Sequence, residues 1–353
     1  MKTKSYHIIG LMSGTSLDGL DLCYVKFRKS EFWNFEILFS ETREYSEKWR
    51  EALKNAITLD KTELQDLDKE YSSYLSAEIK DFIEKNGIEE IDLVCSHGHT
   101  VFHKPQRRLT YQIGNLPEIK SYIYPKIVCD FRVQDVQLGG QGAPLVPIGD
   151  RLLFKDYEFC LNLGGFANVS YENIGERLAF DICPVNIVMN HYTRKIGREH
   201  DDSGNMARKG ELNESLLNSL NDLSFYKEEP PKSLGLEWVK EEVLPLIDSY
   251  KLSIEDILRT FVEHAALQIT SSTNHLKNVK ILVTGGGAFN IFLMERLQAL
   301  SSNQIVIPDN EIIEYKEALV FAFLGLLKIR NEVNCLSSVT GASHDHSSGK
   351  IYV

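Results

Sequence analysis

The chain has 353 residues, of which 43% are hydrophobic and 25% are charged, and its formal net charge is −11. The length is enough for about two domains. The acidic charge argues against a nucleic acid or an anionic membrane surface as a partner, because both need a basic footprint. The first apolar run is broken at Ser13-Gly14, and no later run approaches the roughly 20 residues of a membrane span. The sequence therefore predicts a cytoplasmic protein without a signal peptide, and its six cysteines, which form no CxxC pair, are predicted to be reduced core residues.

The first part of the chain is predicted to open with three antiparallel strands. Residues 6–12, 20–28 and 33–40 alternate or run apolar, which is typical of strands. Helical spacing of apolar residues follows over 47–58 and 62–86. These patterns predict a strand hairpin region that leads into two helices.

Two short buried strands, at 92–95 and 126–131, are predicted to complete this first lobe. A glycine-rich stretch at 139–144 predicts a crossing between lobes, with domains at 1–140 and 141–353. The second lobe repeats the order, with strands near 158–163, 167–173 and 177–181, helices near 185–196, 212–223, 236–248 and 253–276, strands at 279–283 and 305–307, and a last helix at 316–330. Hairpins followed by strand–helix units predict an α/β fold with mixed sheets.

Three loops of small residues follow apolar strands, at 10–21, 159–170 and 284–290. Such loops let several backbone N–H groups approach a phosphate without a Cβ in the way. One loop alone is better explained as a hairpin turn. Two strand–loop–strand units and one strand–loop–helix unit together favour a nucleotide held between two lobes. None contains Gly-Lys-Ser/Thr, so the sequence predicts no P-loop.

Motifs of small and polar residues run along nearly the whole chain, at 10–19, 96–100 with His103 and Pro105, 112–115, 130–132, 139–147, 163–168, 202–204, 231–233, 284–287 and 338–342. Their order resembles that of the anhydro-N-acetylmuramic acid kinase family, within the acetate kinase, sugar kinase, Hsp70 and actin superfamily. The resemblance implies two ribonuclease-H-like lobes with an interlobe cleft that binds ATP. The nucleotide-binding residues it implies are Gly14, Thr15, Ser16, Asp18, Gly19, Asp21, Gly164, Gly165, Asn168, Gly285, Gly286, Gly287 and Asn290.

The resemblance also implies an activity. The family opens the 1,6-anhydro ring of anhydro-N-acetylmuramic acid with water and transfers the γ-phosphate of ATP to O6, which yields N-acetylmuramic acid 6-phosphate in cell-wall recycling. The matching base is Asp181, and Asp18 matches the Mg²⁺ side of the first hairpin. The residues implied to bind the sugar are His97, Thr100, Gln112, Asp130, Arg132, Asn186 and Glu317.

Several of these residues have a purely structural alternative. Asp181 precedes Pro184 and a helical run, so an N-cap explains it as well as a base does without the resemblance. Asp21 is slightly better explained as a turn that caps its own backbone. Arg132 is a candidate clamp for the lactyl carboxylate, but it also suits an ion pair with Asp130 or Asp135. Glu317 suits a charge at the start of a helix.

Histidines form two further patterns. His97, His99 and His103 could share one strand face as a metal cluster, but no suitably spaced cysteine accompanies them, so transition-metal binding is the less favoured interpretation. The resemblance instead implies that His97 and His103 are polar groups around the sugar. The stretch His344-Asp345-His346 is predicted to be solvated surface.

The chain departs from the family in one loop. The family's Asp-Thr-Gly-Pro-Gly-Asn has Ile182, Cys183 and Val185 here in place of Thr, Gly and Gly. Since a β-branched residue tolerates a positive φ poorly, the loop backbone or the volume beside the sugar is expected to differ. Two alternatives therefore stay open, a kinase for a related amino sugar and a non-catalytic paralogue that binds ATP or sugar. The resemblance also suggests a homodimer, which no coiled coil or apolar stripe of the sequence indicates.

Overall fold

The computed structural model describes residues 4–14 and 17–353. The chain divides into two compact units, a first unit of Met1–Leu153 with Tyr315–Val353 and a second unit of Phe154–Glu314. This division differs from the predicted boundary at 140. The last strand, Lys350–Tyr352, pairs antiparallel with Ile127–Cys129, so the C-terminal residues belong to the first unit rather than to the second.

The described residues form both strands and helices. The strands are β1 Ser5–Ser13, β2 Gly19–Lys29, β3 Trp33–Glu44, β4 Leu93–Lys104, β5 Leu109–Ile113, β6 Ile127–Cys129, β7 Phe159–Leu163, β8 Phe166–Asn173, β9 Glu176–Pro184, β10 Lys280–Thr284, β11 Gln304–Val306 and β12 Lys350–Tyr352. The α-helices are α1 Glu47–Asn55, α2 Lys61–Lys85, α3 Val133–Gln137, α4 Pro147–Leu153, α5 Asn186–Arg194, α6 Asn205–Lys209, α7 Glu214–Asn221, α8 Leu236–Trp238, α9 Leu244–Ser249, α10 Ile254–Thr273, α11 Ile291–Leu300, α12 Asn310–Ile329 and α13 Ser337–Thr340. None of the helices in the described part of the chain is long and apolar enough to cross a bilayer.

The sheet of the first unit is mixed. Its order among the described residues is β12-β6-β4-β1-β2-β3, and β5 pairs with β4 beside this path. The first three strands form the predicted antiparallel meander, and β4 and β6 then add parallel to β1.

The sheet of the second unit repeats this arrangement. Its order is β11-β10-β7-β8-β9 among the described residues. Strands β7, β8 and β9 form an antiparallel meander, and β10 and β11 add parallel to β7. Three antiparallel strands followed by two parallel ones therefore occur in both units, which is the arrangement expected of two related ribonuclease-H-like lobes and confirms the predicted α/β class.

Helix α2 shows how the sequence sets an element of this fold. Asp60 accepts hydrogen bonds from the backbone N–H groups of Thr62 and Glu63, and the Glu63 carboxylate accepts one from the N–H of Asp60. This capping box satisfies the free donors at the start of the helix. The predicted end of this helix near residue 86 is also confirmed, since Asn86 caps the helix and Gly87 has a φ of +58°.

The packing of α12 on β1 explains one glycine of the first motif. A Cβ on Gly10 would collide with the carbonyl oxygen of Ala318 on α12. Only glycine allows this close approach of helix and strand. The C-terminal helix is therefore held directly against the strand that leads into the first hairpin.

Candidate active site

The first predicted phosphate hairpin joins β1 to β2. Gly14 and Asp18 lie at its tip, and Asp18 is exposed to solvent. Gly19 lies on β2, where a Cβ would stand 2.6 Å from the carbonyl oxygen of Arg43, so this glycine serves the contact between β2 and β3. The predicted nucleotide contacts Thr15 and Ser16 lie outside the described residues.

Asp21 stands opposite Thr42 on β3 rather than in a turn. The Thr42 hydroxyl donates a hydrogen bond of 2.6 Å to Asp21 Oδ1. The alternative that Asp21 caps its own turn is therefore wrong, and a strand side chain holds its carboxylate.

A buried hydrogen-bonded chain lies at the end of β1, and sequence reasoning missed it. Ser13 Oγ is 2.9 Å from His99 Nδ1 and accepts a hydrogen bond of 2.7 Å from the Tyr45 hydroxyl. The Tyr45 and Tyr71 hydroxyls are 2.7 Å apart. Burial raises the pKa of Tyr45 to about 12 and lowers the pKa of His99 to about 4, so both side chains are neutral at physiological pH.

Arg132 follows β6 and lies beside His97, which stands on β4 just beyond the residues that pair with β6. Its Nε donates a hydrogen bond of 2.8 Å to His97 Nε2, and its Nη1 donates one of 2.7 Å to the carbonyl oxygen of Gly142. Burial, with a smaller effect of the Arg132 charge, holds the pKa of His97 well below its ordinary value. His97 is therefore neutral, with Nδ1–H donating to the carbonyl oxygen of Gly98 at 2.8 Å.

The alternative ion pairs of Arg132 do not form among the described residues. Asp130 instead pairs with Lys350 of β12 at 2.6 Å, through Oδ2. Its second oxygen, Oδ1, is buried without a hydrogen-bond partner in the described part of the chain. Asp130 also has a φ of 56°, so the backbone turns sharply between β6 and Arg132. This turn directs the chain toward His97.

Glu317 belongs to the interior of α12, which begins at Asn310. The explanation of Glu317 as a helix-start charge is therefore wrong. Desolvation by the surrounding protein raises the pKa of the Glu317 carboxyl, and the positive charges of Arg132 and Lys316 oppose this rise. Glu317 is still accessible to solvent, so it can contact a ligand.

Gln112 and Thr100 are cross-strand neighbours on β5 and β4. Gln112 Nε2 donates a hydrogen bond of 2.7 Å to Thr110 Oγ1. Its Oε1 is buried and has no hydrogen-bond partner among the described residues. A buried acceptor without a partner is a natural place for a ligand hydroxyl.

The three histidines of β4 do not converge on one point. His97 binds Gly98 and Arg132, His99 binds Ser13, and His103 Nδ1 is 3.3 Å from Thr110 Oγ1. The metal interpretation of this cluster has no support in the described residues. The prediction that His344-Asp345-His346 is surface is wrong for His346, which is buried.

In the second unit, the paired strands place polar side chains in one row. Thr284 of β10 stands opposite Asn162 of β7, Asn162 stands opposite Asn168 of β8, and Asn168 stands opposite Asp181 of β9. Directly opposed residues project to the same face of a sheet. Sequence reasoning missed Asn162, although a single polar residue in an otherwise apolar strand was the available signal.

Asp181 is half-buried and bonded on one side only. Its Oδ2 accepts a hydrogen bond of 2.8 Å from the backbone N–H of Leu234, and Oδ1 has no hydrogen-bond partner among the described residues. Burial raises the pKa of this carboxyl, and the bond from Leu234 partly offsets the rise. The N-cap alternative is wrong, because α5 is preceded by Val185 and has no side-chain cap.

The glycine loops of the second unit meet at Leu163. A Cβ on Gly287 would stand 2.7 Å from Leu163 Cβ, and a Cβ on Gly285 would stand 2.8 Å from the Leu163 carbonyl carbon. Asn186 Nδ2 donates to the carbonyl oxygen of Leu163 at 3.2 Å. The predicted residues Gly164 and Gly165 follow directly, and Gly286 has open space around it.

Asn290, which was predicted to contact the nucleotide, has structural partners. Its side chain caps α11 by accepting a hydrogen bond of 3.0 Å from the Leu293 N–H, and it is buried. The contact of Asn290 with a nucleotide stays a prediction.

Comparison of the whole sequence with known proteins identifies its family. A family model described as anhydro-N-acetylmuramic acid kinase matches residues 6–353. The chain belongs to the anhydro-N-acetylmuramic acid kinase family. Similar proteins include the anhydro-N-acetylmuramic acid kinase of Haemophilus influenzae, 32% identical over 379 residues and covering 99% of this chain and 98% of the relative. That of Mannheimia succiniciproducens is 34% identical over 375 residues, which cover 99% of each chain.

The loop that departs from the family motif is accommodated inside the second unit. Cys183 and Val185 are fully buried in its hydrophobic core, and Ile182 is nearly so. Val185 has a φ of −132°, so no left-handed conformation is required of it. Its N–H donates to the carbonyl oxygen of Gly165 at 2.8 Å. The side chains that replace the family glycines therefore pack into the core.

Proposed function

We propose that this protein hydrolytically opens the 1,6-anhydro ring of anhydro-N-acetylmuramic acid and phosphorylates O6 with ATP. Membership of the anhydro-N-acetylmuramic acid kinase family supports the reaction class. The observation that carries the mechanism is the Asp181 carboxylate, which is half-buried and has one oxygen without a hydrogen-bond partner among the described residues.

In this proposal Asp181 is the general base. Its free oxygen accepts a proton from a water molecule as the water oxygen bonds to the anomeric carbon. The bond from the anomeric carbon to O6 breaks, and O6 bonds to the γ-phosphorus of ATP while ADP leaves. The raised pKa of Asp181 makes the carboxylate a stronger base than an exposed one, and its position is held by the Leu234 N–H.

Arg132 is the proposed partner of the lactyl carboxylate. Its Nε and Nη1 are engaged with His97 and Gly142, while Nη2 has no hydrogen-bond partner among the described residues. A guanidinium fixed on one edge can present its remaining N–H groups to a carboxylate with little loss of entropy. The buried acceptors Gln112 Oε1 and Asp130 Oδ1 are proposed to receive sugar N–H or O–H groups.

Backbone N–H groups of the glycine loops are proposed to bind ATP phosphates. Those loops are the first hairpin with Gly14, the second with Gly164 and Gly165, and the segment 285–287. Asp18 is exposed at the first hairpin and suits a water-mediated contact with Mg²⁺, which neutralises phosphate charge during the transfer. We also propose that the protein forms a homodimer and is located in the cytoplasm.

The deciding experiment is mass spectrometry of the product formed from MgATP and anhydro-N-acetylmuramic acid in H₂¹⁸O. The expected product is N-acetylmuramic acid 6-phosphate with one ¹⁸O at the anomeric position. Phosphorylated sugar without ¹⁸O would contradict hydrolytic opening. Unchanged sugar, with ATP still bound, would contradict the proposal as a whole and favour another amino sugar or a non-catalytic binder.

A further inference from the structure

Three buried side chains of types that bind metal ions lie close together in the first unit, and none of them belongs to the proposed sugar or nucleotide site. Asp135 belongs to α3, Cys335 precedes α13, and His346 follows it. The three ligand atoms lie within 4.8 Å of one another, and all three residues are buried. Cys335 Sγ is 3.1 Å from Asp135 Oδ1, and His346 Nε2 is 3.5 Å from the same oxygen.

The orientation of His346 points to a cation. Its Nδ1 lies 3.2 Å from the carbonyl oxygen of His344. A carbonyl oxygen only accepts, so Nδ1 carries the hydrogen and, in the neutral ring, Nε2 presents a lone pair. This buried Nε2 has no hydrogen-bond partner in the described part of the chain and faces Asp135 Oδ1. Two facing lone pairs in a buried place are unfavourable unless a proton or a metal ion lies near both.

We propose that Asp135 Oδ1, Cys335 Sγ and His346 Nε2 bind one Zn²⁺ ion. A tetrahedral Zn²⁺ with ligands at about 2.0–2.3 Å holds them roughly 3.3–3.8 Å apart. The 3.5 Å between His346 Nε2 and Asp135 Oδ1 lies in this range. The 3.1 Å between Cys335 Sγ and Asp135 Oδ1 is shorter, because the protonated thiol donates a hydrogen bond to that oxygen, and loss of the thiol proton would free both atoms for the ion. Mixed nitrogen, sulfur and oxygen donors suit Zn²⁺ better than Mg²⁺ or Ca²⁺. Binding displaces the Cys335 thiol proton to solvent, and a water molecule completes the coordination.

The neighbours of these side chains fit the supporting role that surrounds a zinc site. The Thr340 hydroxyl donates a 2.7 Å hydrogen bond to Asp135 Oδ1, and the Gly142 N–H donates one of 2.6 Å to Oδ2. The His344 carbonyl fixes the tautomer of His346, as backbone carbonyls do for zinc-bound histidines.

The ion would be structural. Cys335 and His346 already exchange two backbone hydrogen bonds of 3.1 Å, which close the C-terminal segment on itself. The Asp135 ligand ties that segment to α3, whose N-cap is Arg132. Bound Zn²⁺ would therefore hold the C-terminal residues in place and stabilise the first unit.

The test uses the full chain, stripped with a chelator and then titrated with Co²⁺ or Zn²⁺. We expect one Co²⁺ per chain with a thiolate-to-cobalt charge-transfer band, and a rise in Tm when Zn²⁺ is added. Cys335→Ser should abolish the band, and His346→Ala should weaken Zn²⁺ binding by more than about 100-fold. The matched controls are Cys129→Ala, another buried cysteine of this unit, and His344→Ala, which keeps the carbonyl that fixes His346.

The proposal is overturned if the wild-type chain shows no thiolate band, or if Cys335→Ser retains it. An NMR spectrum with protons on both ring nitrogens of His346, unchanged by Zn²⁺, would overturn it too and assign a buried ion pair with Asp135. If the variants do not fold, the NMR spectrum of His346 in the wild-type chain, recorded with and without Zn²⁺, decides between a zinc site and an ion pair. None of these readouts uses sugar phosphorylation, so they are independent of the proposed kinase reaction.

Discussion

Arg132 donates its Nε–H to Nε2 of His97 over 2.8 Å, so a neutral imidazole holds one edge of a charged guanidinium. Burial and the adjacent positive charge keep His97 neutral, and a protonated ring would face the guanidinium with a second positive charge and no acceptor. The pair therefore fixes the direction of Arg132 while leaving its charge for a ligand.

Arg132→Lys should impair sugar recognition but leave ATP recognition nearly unchanged. Lysine keeps the charge but loses the planar fork and the bond to His97. A hydrogen bond to a charged group contributes about 1.5–3 kcal/mol, so we expect KM for anhydro-N-acetylmuramic acid to rise roughly 10- to 150-fold. Steady-state kinetics with each substrate varied in turn checks this, with the exposed Arg108→Lys as the control. An equal rise in KM for ATP would assign Arg132 a structural role instead.

Asp181→Asn should remove most turnover and keep the fold. The asparagine side-chain oxygen can still accept from the Leu234 N–H, but the amide cannot take a proton from water, so kcat should fall about 10²- to 10⁴-fold. Burial raises the pKa of Asp181, which means that the ionised form destabilises the folded state. The variant should therefore have the same Tm or a higher one, measured by thermal unfolding. Asp222→Asn, an exposed carboxylate of the same unit, should change neither quantity, and wild-type kcat in Asp181→Asn would exclude the assigned base.

The pH profile should carry an acid limb set by Asp181. A general base works only when it is deprotonated, so kcat/KM should fall as the pH falls through its pKa. Because burial raises that pKa above the ordinary 3.8, the limb should begin at a higher pH than for an exposed aspartate. Measurement of kcat/KM against pH, in buffers matched for ionic strength, tests this. A profile without an acid limb in the folded range of pH would contradict the assignment.

Cys183→Gly should lower stability more than activity. The Cys183 side chain is fully buried in the core of the second unit, so its loss leaves a cavity and adds backbone freedom. Together these should cost about 1–3 kcal/mol in the free energy of unfolding. We expect a lower urea midpoint, with kcat changed less than about tenfold. Ile174→Gly is the matched control, because Ile174 is 99% exposed with a φ of 49°; a glycine there should be neutral or stabilising.

The repeated meander could be predicted from sequence because its signal is local. Alternating apolar residues predicted β1, β2 and β3 within a few residues of their observed bounds. The short strand β12 could not be predicted, because it is formed by pairing with β6, which lies far earlier in the chain. The predicted boundary at 140 was displaced for the same reason.

At the candidate site, the sequence predicted which residues are functional but not which groups they contact. The motifs indicated Asp181, Arg132 and Glu317 as functional residues, but the sequence left their structural alternatives open. Strand register and packing excluded those alternatives, since Asp181 does not cap α5 and Glu317 lies inside α12 rather than at its start.

The sequence by itself determined the class of fold, the family and the residue types available for chemistry, because periodicity, glycine loops and ordered motifs are properties of neighbouring residues. Only the tertiary structure decided which groups meet. Ser13 binds His99 across 86 positions of sequence, and Asp135 meets Cys335 across 200. Such contacts arise from the pairing of distant strands and the closure of the C-terminal residues onto the first unit, and no local pattern encodes them.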